Sequence, residues 1–321
     1  MKRNKAKITW QAQCMGVLLA GPYLVGVAAF LVLPLGMSLY YSFCHYNMLQ
    51  PPLWVGWMNY RHLLHDHVFW RSLENTLIYA AISLPFTLSL SVLLAVLLNQ
   101  PLKSQALYRT IIFLPCLVPM VASALIWQWL FNSDVGLIDY LLRGPLHLAG
   151  GALAWLTQLF GAAPSTVATL RNLQPPVWLG DPHWAMAAII LMSFWGVGQT
   201  VVIFLAGLQD IPKDLYEAAQ MDGIGAIGRF VHVTLPLLSP VIFFNLIMGI
   251  IGTWQIFDVP YVMTGGGPGH STTFYTMYLF DNAFNYLRMG PASAMAWIQL
   301  LIILFFTAIA FLTAKKWVHY A

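Results

Sequence analysis

Apolar and polar positions along this chain fall into long blocks. Uncharged runs lie near residues 15–43, 75–98, 110–130, 184–208, 237–257 and 291–314. At about 1.5 Å per residue, each is long enough to cross the roughly 30 Å hydrocarbon core of a bilayer. Backbone polar groups in that solvent must be satisfied within their own segment, so each run predicts a transmembrane helix. Between the fourth and fifth runs lies a polar island in which Asp210, Asp214, Glu217 and Asp222 are interspersed with Lys213 and Arg229. A stretch of that polarity, flanked by membrane-length runs, has to lie in water at a bilayer face.

The composition agrees. Hydrophobic residues make up 59% of the 321 residues and charged ones 8%, against roughly 25% charged in soluble domains. The expected class is an all-α integral membrane protein with six transmembrane helices. An even number of spans puts both termini on one side. If that side is the cytoplasm, the inside segments hold Lys2, Arg3, Lys5, Lys7, Lys103, Arg109, Lys213, Arg229, Lys315 and Lys316, and the outside loops hold Arg61, Arg71, Arg143, Arg171 and Arg288. This positive-inside bias predicts cytoplasmic termini and a cytoplasmic polar island. The first run is too long for the apolar core of a signal peptide and has no clear small-residue cleavage site, so it reads as a retained span.

The resulting organisation is a cytoplasmic N-terminal segment at 1–14, a first span at 15–43, an outside loop at 44–74 and a five-helix core over 75–321. The core carries an outside insertion at about 131–183 and a cytoplasmic loop at about 209–236. Within the insertion, the stretch from Leu146 to Leu170 is rich in Ala, Gly and Leu, but a seventh crossing there would invert everything downstream against the charge bias. It is expected to be helical and to lie at the interface, with Trp155, Trp178 and Trp184 at headgroup level. The Gly265–Gly269 run cannot be a helix interior. Without a following Lys-Ser/Thr it does not read as a phosphate-binding loop.

Other candidate chemistry is sparse. Cys14, Cys44 and Cys116 are widely spaced in or beside apolar runs, and suggest neither a disulfide framework nor a thiolate metal site. His62, His65 and His67 form an H-L-L-H-D-H cluster that reads as a solvated or interfacial loop. No metal site and no catalytic residue pairing is expected. The net charge of +4 comes mostly from membrane-flanking Lys and Arg and does not suggest nucleic acid.

No Asp, Glu, Lys, Arg or His lies well inside a span, which counts against a pump or proton symporter but leaves open sodium sites built from backbone carbonyls; a self-sufficient secondary transporter or channel is the alternative reading. The chain has no G-x-x-x-x-G-K-[ST] sequence either. Uphill transport would therefore draw its energy from another polypeptide, and the polar island is the largest handle available to one. Local signals there predict a helix from Asp210 to Met221, with Asp210 as N-cap and Pro212 in the first turn. Ile211, Leu215, Ala218, Ala219 and Asp222 recur at three- and four-residue steps on one face. Gly223 and Gly225 break this helix, and a second short one is expected over Ala226–Val233, before Pro236.

The island also contains Glu217-Ala218-Ala219, then Gly223 after three residues, Val233 after nine more, and Leu235-Pro236. This resembles the E-A-A-x3-G-x9-I-x-L-P motif of permease subunits of binding-protein-dependent ABC importers, with Val233 in place of Ile. The Trp178-Leu179 and Asp181-Pro182 pairs before the fourth run and the Thr264–Pro268 stretch resemble the sugar-type branch of that family, which includes maltose- and glycerol-3-phosphate-type permeases. The resemblance implies a type I ABC importer permease fold in a bacterial inner membrane. It also implies alternating access driven by an ATP-binding subunit dimer, with ATP and Mg bound there and no cofactor in this chain. A second permease chain and an extracytoplasmic solute-binding protein are implied as partners, and a carbohydrate as cargo. By the same resemblance the island would form a coupling helix. Glu217, Ala218, Ala219 and Gly223 match the motif, with Leu215 and Asp222 beside them on the helix.

Candidate pathway residues come from polar positions inside the spans. Asn245, Gly249 and Gly252 share one face of the fifth run, with Gln255 at its edge. Ser193, Gly196, Thr200 and Gly207 form a similar stripe on the fourth run, beside Gln199. Asn245 is the leading candidate because a mid-span amide gains from a polar cavity, followed by Gln199 and Gln255.

Overall fold

A computed structural model describes residues 10–100, 103–160, 163–172 and 174–319. The N-terminal cations Lys2, Arg3, Lys5 and Lys7 lie outside the described residues. The chain forms two units, one comprising the residues up to His65 with Leu279–Ile298, the other Asp66–Tyr278 with Gln299–Ala321.

In the first unit, α1 (Trp10–Val27) runs through a π-type turn at Ala28–Val32 into α2 (Leu33–Ser42). The amide of Leu33 reaches back to Ala28, so the wide turn carries the helix past Pro34, which has no N–H to donate. The apolar stretch Met15–Ser42 has a mean hydropathy of 2.2, and none of its most apolar window is buried. A hairpin of β1 (Cys44–His45) and β2 (Leu53–Trp54) follows, then α3 (Met58–Leu64). Phe43 meets Trp54, Trp57 and Tyr60 at ring-centroid distances of 5.4, 5.0 and 5.5 Å. Asn59 ties this cap together by donating to the carbonyls of Ser42 at 2.8 Å and Cys44 at 2.9 Å.

The second unit is organised on α4 (His67–Leu98), which begins before the uncharged run because Asp66 caps it, accepting from the amides of Val68 and Phe69. The third run is not one continuous helix, which corrects the expectation of an unbroken 110–130 helix. It divides into α5 (Gln105–Phe113), extended as a 3-10 turn to Leu117, and α6 (Met120–Leu130), bent 98° apart. Val118, with ψ 128°, takes the extended conformation that a following proline imposes, and Pro119 then starts the new helix. The insertion is helical, as α7 (Leu137–Leu159) and α8 (Pro164–Arg171) packed on each other. Trp155 is exposed, but Trp178 is buried in the protein with its Nε1 donating to Asp139 at 3.0 Å. A buried indole N–H needs an acceptor, and the Asp139 carboxylate supplies one.

The fourth run is α9 (Pro182–Ser193) and α10 (Gly198–Gln209), bent by 45°. Asp181 caps α9, and the backbone and ring hydrogen bonds from His183 hold its carboxyl below the usual carboxylate range. Next come α11 (Lys213–Met221), α12 (Ala226–Arg229) and α13 (Leu235–Trp254). The expected stop before Pro236 does not occur. A π-type turn at Phe230–Thr234, in which the Leu235 amide reaches Phe230, carries α12 into α13. The chain ends with α14 (Asp258–Met263), α15 (Tyr275–Phe280) and α16 (Met289–Ala314). Among the described residues, four helical stretches are long and apolar enough to cross a membrane alone, and six are if each bent pair is one span.

Helices α9, α10 and α13 pack against α4. Small residues set the close approaches: a Cβ on Gly249 would strike Leu84, one on Gly207 would meet Val241, and one on Gly198 would strike the backbone carbonyl of Ile112. The glycine-rich loop between α14 and α15 is a hydrogen-bonded turn, buried at Gly266 and exposed at Gly265 and Gly269. Gly265, Gly266 and Gly269 take positive φ, and Thr272 and Thr273 donate to the carbonyls of Gly267 and Gly266. Asn75 of α4, 2% exposed, anchors it by donating to His270 O at 2.8 Å and Thr273 O at 3.0 Å. Replacing Asn75 by Leu leaves two carbonyls without this donor, at a cost of about 2–4 kcal/mol. A fall of several degrees in the thermal unfolding midpoint of the detergent-purified protein is the expected result.

Candidate functional site

The polar island folds as a short helix on a hinge. Asp210 retains the helical conformation of α10 (φ −78°, ψ −14°), so the expected Asp210 cap does not form. The pre-proline restriction at Ile211 and the extended Pro212 (φ −58°, ψ 132°) instead start α11 at Lys213. Asp214 lies in the first turn, where the helix dipole favours an anion. At the other end, the amide of Ile224 donates to Ala219 O at 2.9 Å and that of Gly223 to Gln220 O at 3.1 Å. This 6→1, 5→2 pair is a Schellman cap, and it needs a left-handed residue at Gly223, whose φ is 76°.

The two sides of α11 differ. Ile211 and Ala219 are buried, and Ile211 and Tyr216 pack with Val92, Leu98 and Leu208 of α4 and α10. The Tyr216 hydroxyl lies 3.0 Å from Thr234 Oγ1, in the turn that leads into α13. Leu215, Glu217, Ala218, Met221 and Asp222 are exposed, Met221 at 88%. The face expected from spacing is therefore divided: Ile211 and Ala219 anchor the helix, while Leu215, Ala218 and Asp222 face outward beside Glu217. Tyr216 and Ile211 thus join α11 to a cluster with residues of α4, α10 and α13.

A cavity of about 400 Å³ lies where both bent spans are interrupted. Its walls include Pro115, Cys116 and Val118 from the first break, Trp195 and Gly196 from the second, Tyr79 of α4, Gly252 and Gln255 at the end of α13, and Asp258 at the start of α14. Irregular backbone is tolerated at membrane depth where it lines such a space. Ser123, Ser193, Gln199 and Gln255 supply polar groups, Asp258 a carboxylate, and Trp195 a half-exposed ring packed edge-on against Trp127. Amides, hydroxyls and an aromatic face are the groups with which proteins hold polyhydroxylated molecules.

Of the residues expected on a pathway, Gln199 and Gln255 line this cavity, with Gly252. Asn245 is buried and donates to Val241 O of its own helix at 2.8 Å, and Gly249 packs against Leu84, so neither is among the lining residues. Sequence reasoning missed Tyr79, Ser123, Trp195 and Asp258. The available signal was the interruption of two apolar runs by Pro115, Pro119, Gly196 and Gly198, because broken helices mark sites in transport proteins. His62, His65 and His67 are exposed, and His65 Nδ1 lies 2.9 Å from Arg61 O. Among the described residues, no group of three or more His, Cys, Asp or Glu is placed to hold a metal ion.

Broken spans around a cavity, with a capped surface helix packed on the same helices, fit a polytopic membrane transport subunit. Residues 87–319 match the family of binding-protein-dependent transport system inner membrane components, and the chain belongs to that family. It is 37% identical to the probable ABC transporter permease protein YesP of Bacillus subtilis, over 95% of this chain and 92% of that one. It is 32% identical to the trehalose/maltose transport system permease protein MalF of Thermococcus litoralis, over 95% of each. Its fold matches, with a TM-score of 0.77, a chain in the crystal structure of a bacterial ABC transporter involved in the import of the acidic polysaccharide alginate. That match has 21% identity and covers 96% of this chain and 98% of the other.

Two predictions follow from this geometry. No atom lies within 4 Å of a Cβ added at Gly223, so the cost of Gly223→Ala is confined to the backbone, about 1–2 kcal/mol. Gly223→Asn should cost less and Gly223→Val more, read as amide hydrogen-exchange protection over residues 219–224. In uptake assays, Gln199→Leu and Gln255→Leu are expected to raise KM about tenfold, equivalent to about 1.4 kcal/mol each. Asn245→Leu should have a smaller effect on KM than either.

Proposed function

We propose that this chain is the membrane-spanning permease subunit of an ABC importer that moves a carbohydrate into the cytoplasm by alternating access. The observation that carries the reading is the E-A-A-x3-G motif folded as an outward-facing, Schellman-capped helix and tied by Tyr216 and Ile211 to helices that also surround a cavity. Family membership and the names of relatives, which include sugar and lactose permeases, support a carbohydrate cargo. The relatedness of the fold to a transporter crystallised with a bound periplasmic protein supports a solute-binding protein as partner.

In this mechanism an ATP-binding subunit dimer, holding ATP and Mg, grips α11 from the cytoplasm. Glu217 accepts hydrogen bonds from basic or backbone donors of that subunit, Ala218 allows close approach, and Leu215, Met221 and Asp222 extend the contact. Gly223 ends the helix so that the chain can turn back into α12. Closure of the ATPase dimer pulls α11, and the motion reaches α4, α10 and α13, whose packing bounds the cavity. A second permease chain completes the channel, and the two termini lie in the cytoplasm. Gln199, Gln255, Trp195 and Asp258 meet the cargo.

Co-purification with the ATPase subunit tests this assignment. Glu217→Ala should lower both ATPase recovery and solute-stimulated ATP hydrolysis about tenfold, the loss of one charge-assisted hydrogen bond of roughly 1.5–3 kcal/mol. Unchanged recovery and unchanged stimulation in Glu217→Ala and Gly223→Ala together would sink the coupling role.

A further inference from the structure

A second recess lies away from the cavity, between α5 and α10. It encloses about 260 Å³, and its walls are apolar: Ile112 and Phe113 of α5 face Val201, Val202 and Leu205 of α10. It extends along α10 from Gly198 to Gln209, roughly 16 Å at 1.5 Å per residue. Polar groups occur at one end only, the end nearest α11, where Arg109 and Gln209 line the recess. The Arg109 Nε is buried and has no hydrogen-bond partner among the described residues. No carboxylate lines the recess. A guanidinium never loses its charge in a protein, and a buried donor without an acceptor is costly, so the site is incomplete as it stands.

We infer that this recess is a binding site for one anionic phospholipid, with an acyl chain along the apolar walls and the headgroup phosphate against Arg109. The recess is long, narrow and apolar, and a single cation closes its polar end. That matches an amphiphile carrying one anionic group at the boundary between hydrocarbon and water. Free phosphate would satisfy Arg109 but leave the aliphatic walls uncovered, and a zwitterionic lipid would place a second cation beside the guanidinium. Lys103, exposed on the connection into α5, adds to the positive potential at the same end. Ile112 and the Arg109 helix also make the backbone contact with Gly198, at the second break. An occupied recess therefore braces α5 against α10 beside the point where the fourth span bends.

Native mass spectrometry of the assembled, delipidated transporter tests the inference, after return of phosphatidylglycerol, phosphatidylcholine or inorganic phosphate. Wild type should retain phosphatidylglycerol over phosphatidylcholine by about fivefold, the effect of one basic residue near a lipid surface. Arg109→Gln should abolish that preference, and Arg109→Lys should keep most of it. Val202→Trp, which fills the apolar part, should lower retention of both lipids. Size-exclusion profiles identify any variant that fails to assemble, and the remaining pair then decides. The inference is overturned if Arg109→Gln keeps the full preference, if inorganic phosphate displaces phosphatidylglycerol, or if a cysteine at Val202 crosslinks to another subunit instead of remaining in contact with lipid.

Discussion

The structure depends on the requirement that backbone N–H and C=O groups be paired when water is absent. That requirement keeps α4, α13 and α16 regular over their apolar lengths. It also explains where irregularity is allowed. The breaks at Leu114–Pro119 and Phe194–Val197 interrupt the regular α-helical pairing, and both lie on the wall of one cavity. Elsewhere the helix carries on past proline, through a π-type turn before Pro34 and Pro236 and within α4 and α13 themselves at Pro85 and Pro240. Proline thus has two outcomes, a continued helix or a site, and the surroundings decide which.

The same accounting explains the surface helix. Helix α11 is only nine residues long, too short to be stable by propensity, so its ends and its buried side must hold it. The Schellman cap satisfies two of its last carbonyls, and Ile211, Tyr216 and Ala219 fix its orientation. Motif residues therefore serve two purposes: Ala219 and Gly223 build the helix, while Glu217 and Ala218 are presented outward.

Mechanical connection through the second unit comes from α4. Its N-terminal half is tied to the glycine loop by Asn75 and Thr76, its middle packs on Gly249, and its far end joins the cluster that receives Ile211 and Tyr216. A single rigid element thus links the loop after α14, the cavity wall through Tyr79, and the seat of α11. Movement at one end of a packed helix reaches the other because close-packed interiors deform little.

Much was legible in the chain alone, because the bilayer imposes a one-dimensional rule. Run length, absence of charge and the bias of Lys and Arg specify the helical class and the spans, and the fixed spacing from Glu217 to Pro236 specifies the family. The glycine after the short helix was also interpretable, since only a left-handed position demands it. Tertiary structure decided what depends on neighbours. Hydropathy treats Leu114–Pro119 as part of one run, because a proline in an apolar stretch does not reveal whether its freed carbonyl meets another helix or a cavity. Helical periodicity grouped Asn245 with Gly252, yet a stripe along one helix passes from Leu84 to the open cavity as its partners change. Nothing in the sequence around Trp178 points to Asp139, 39 positions away, as the acceptor of its indole N–H. Solvent and spacing act locally along the chain, but burial and hydrogen-bond pairing are properties of the packed molecule.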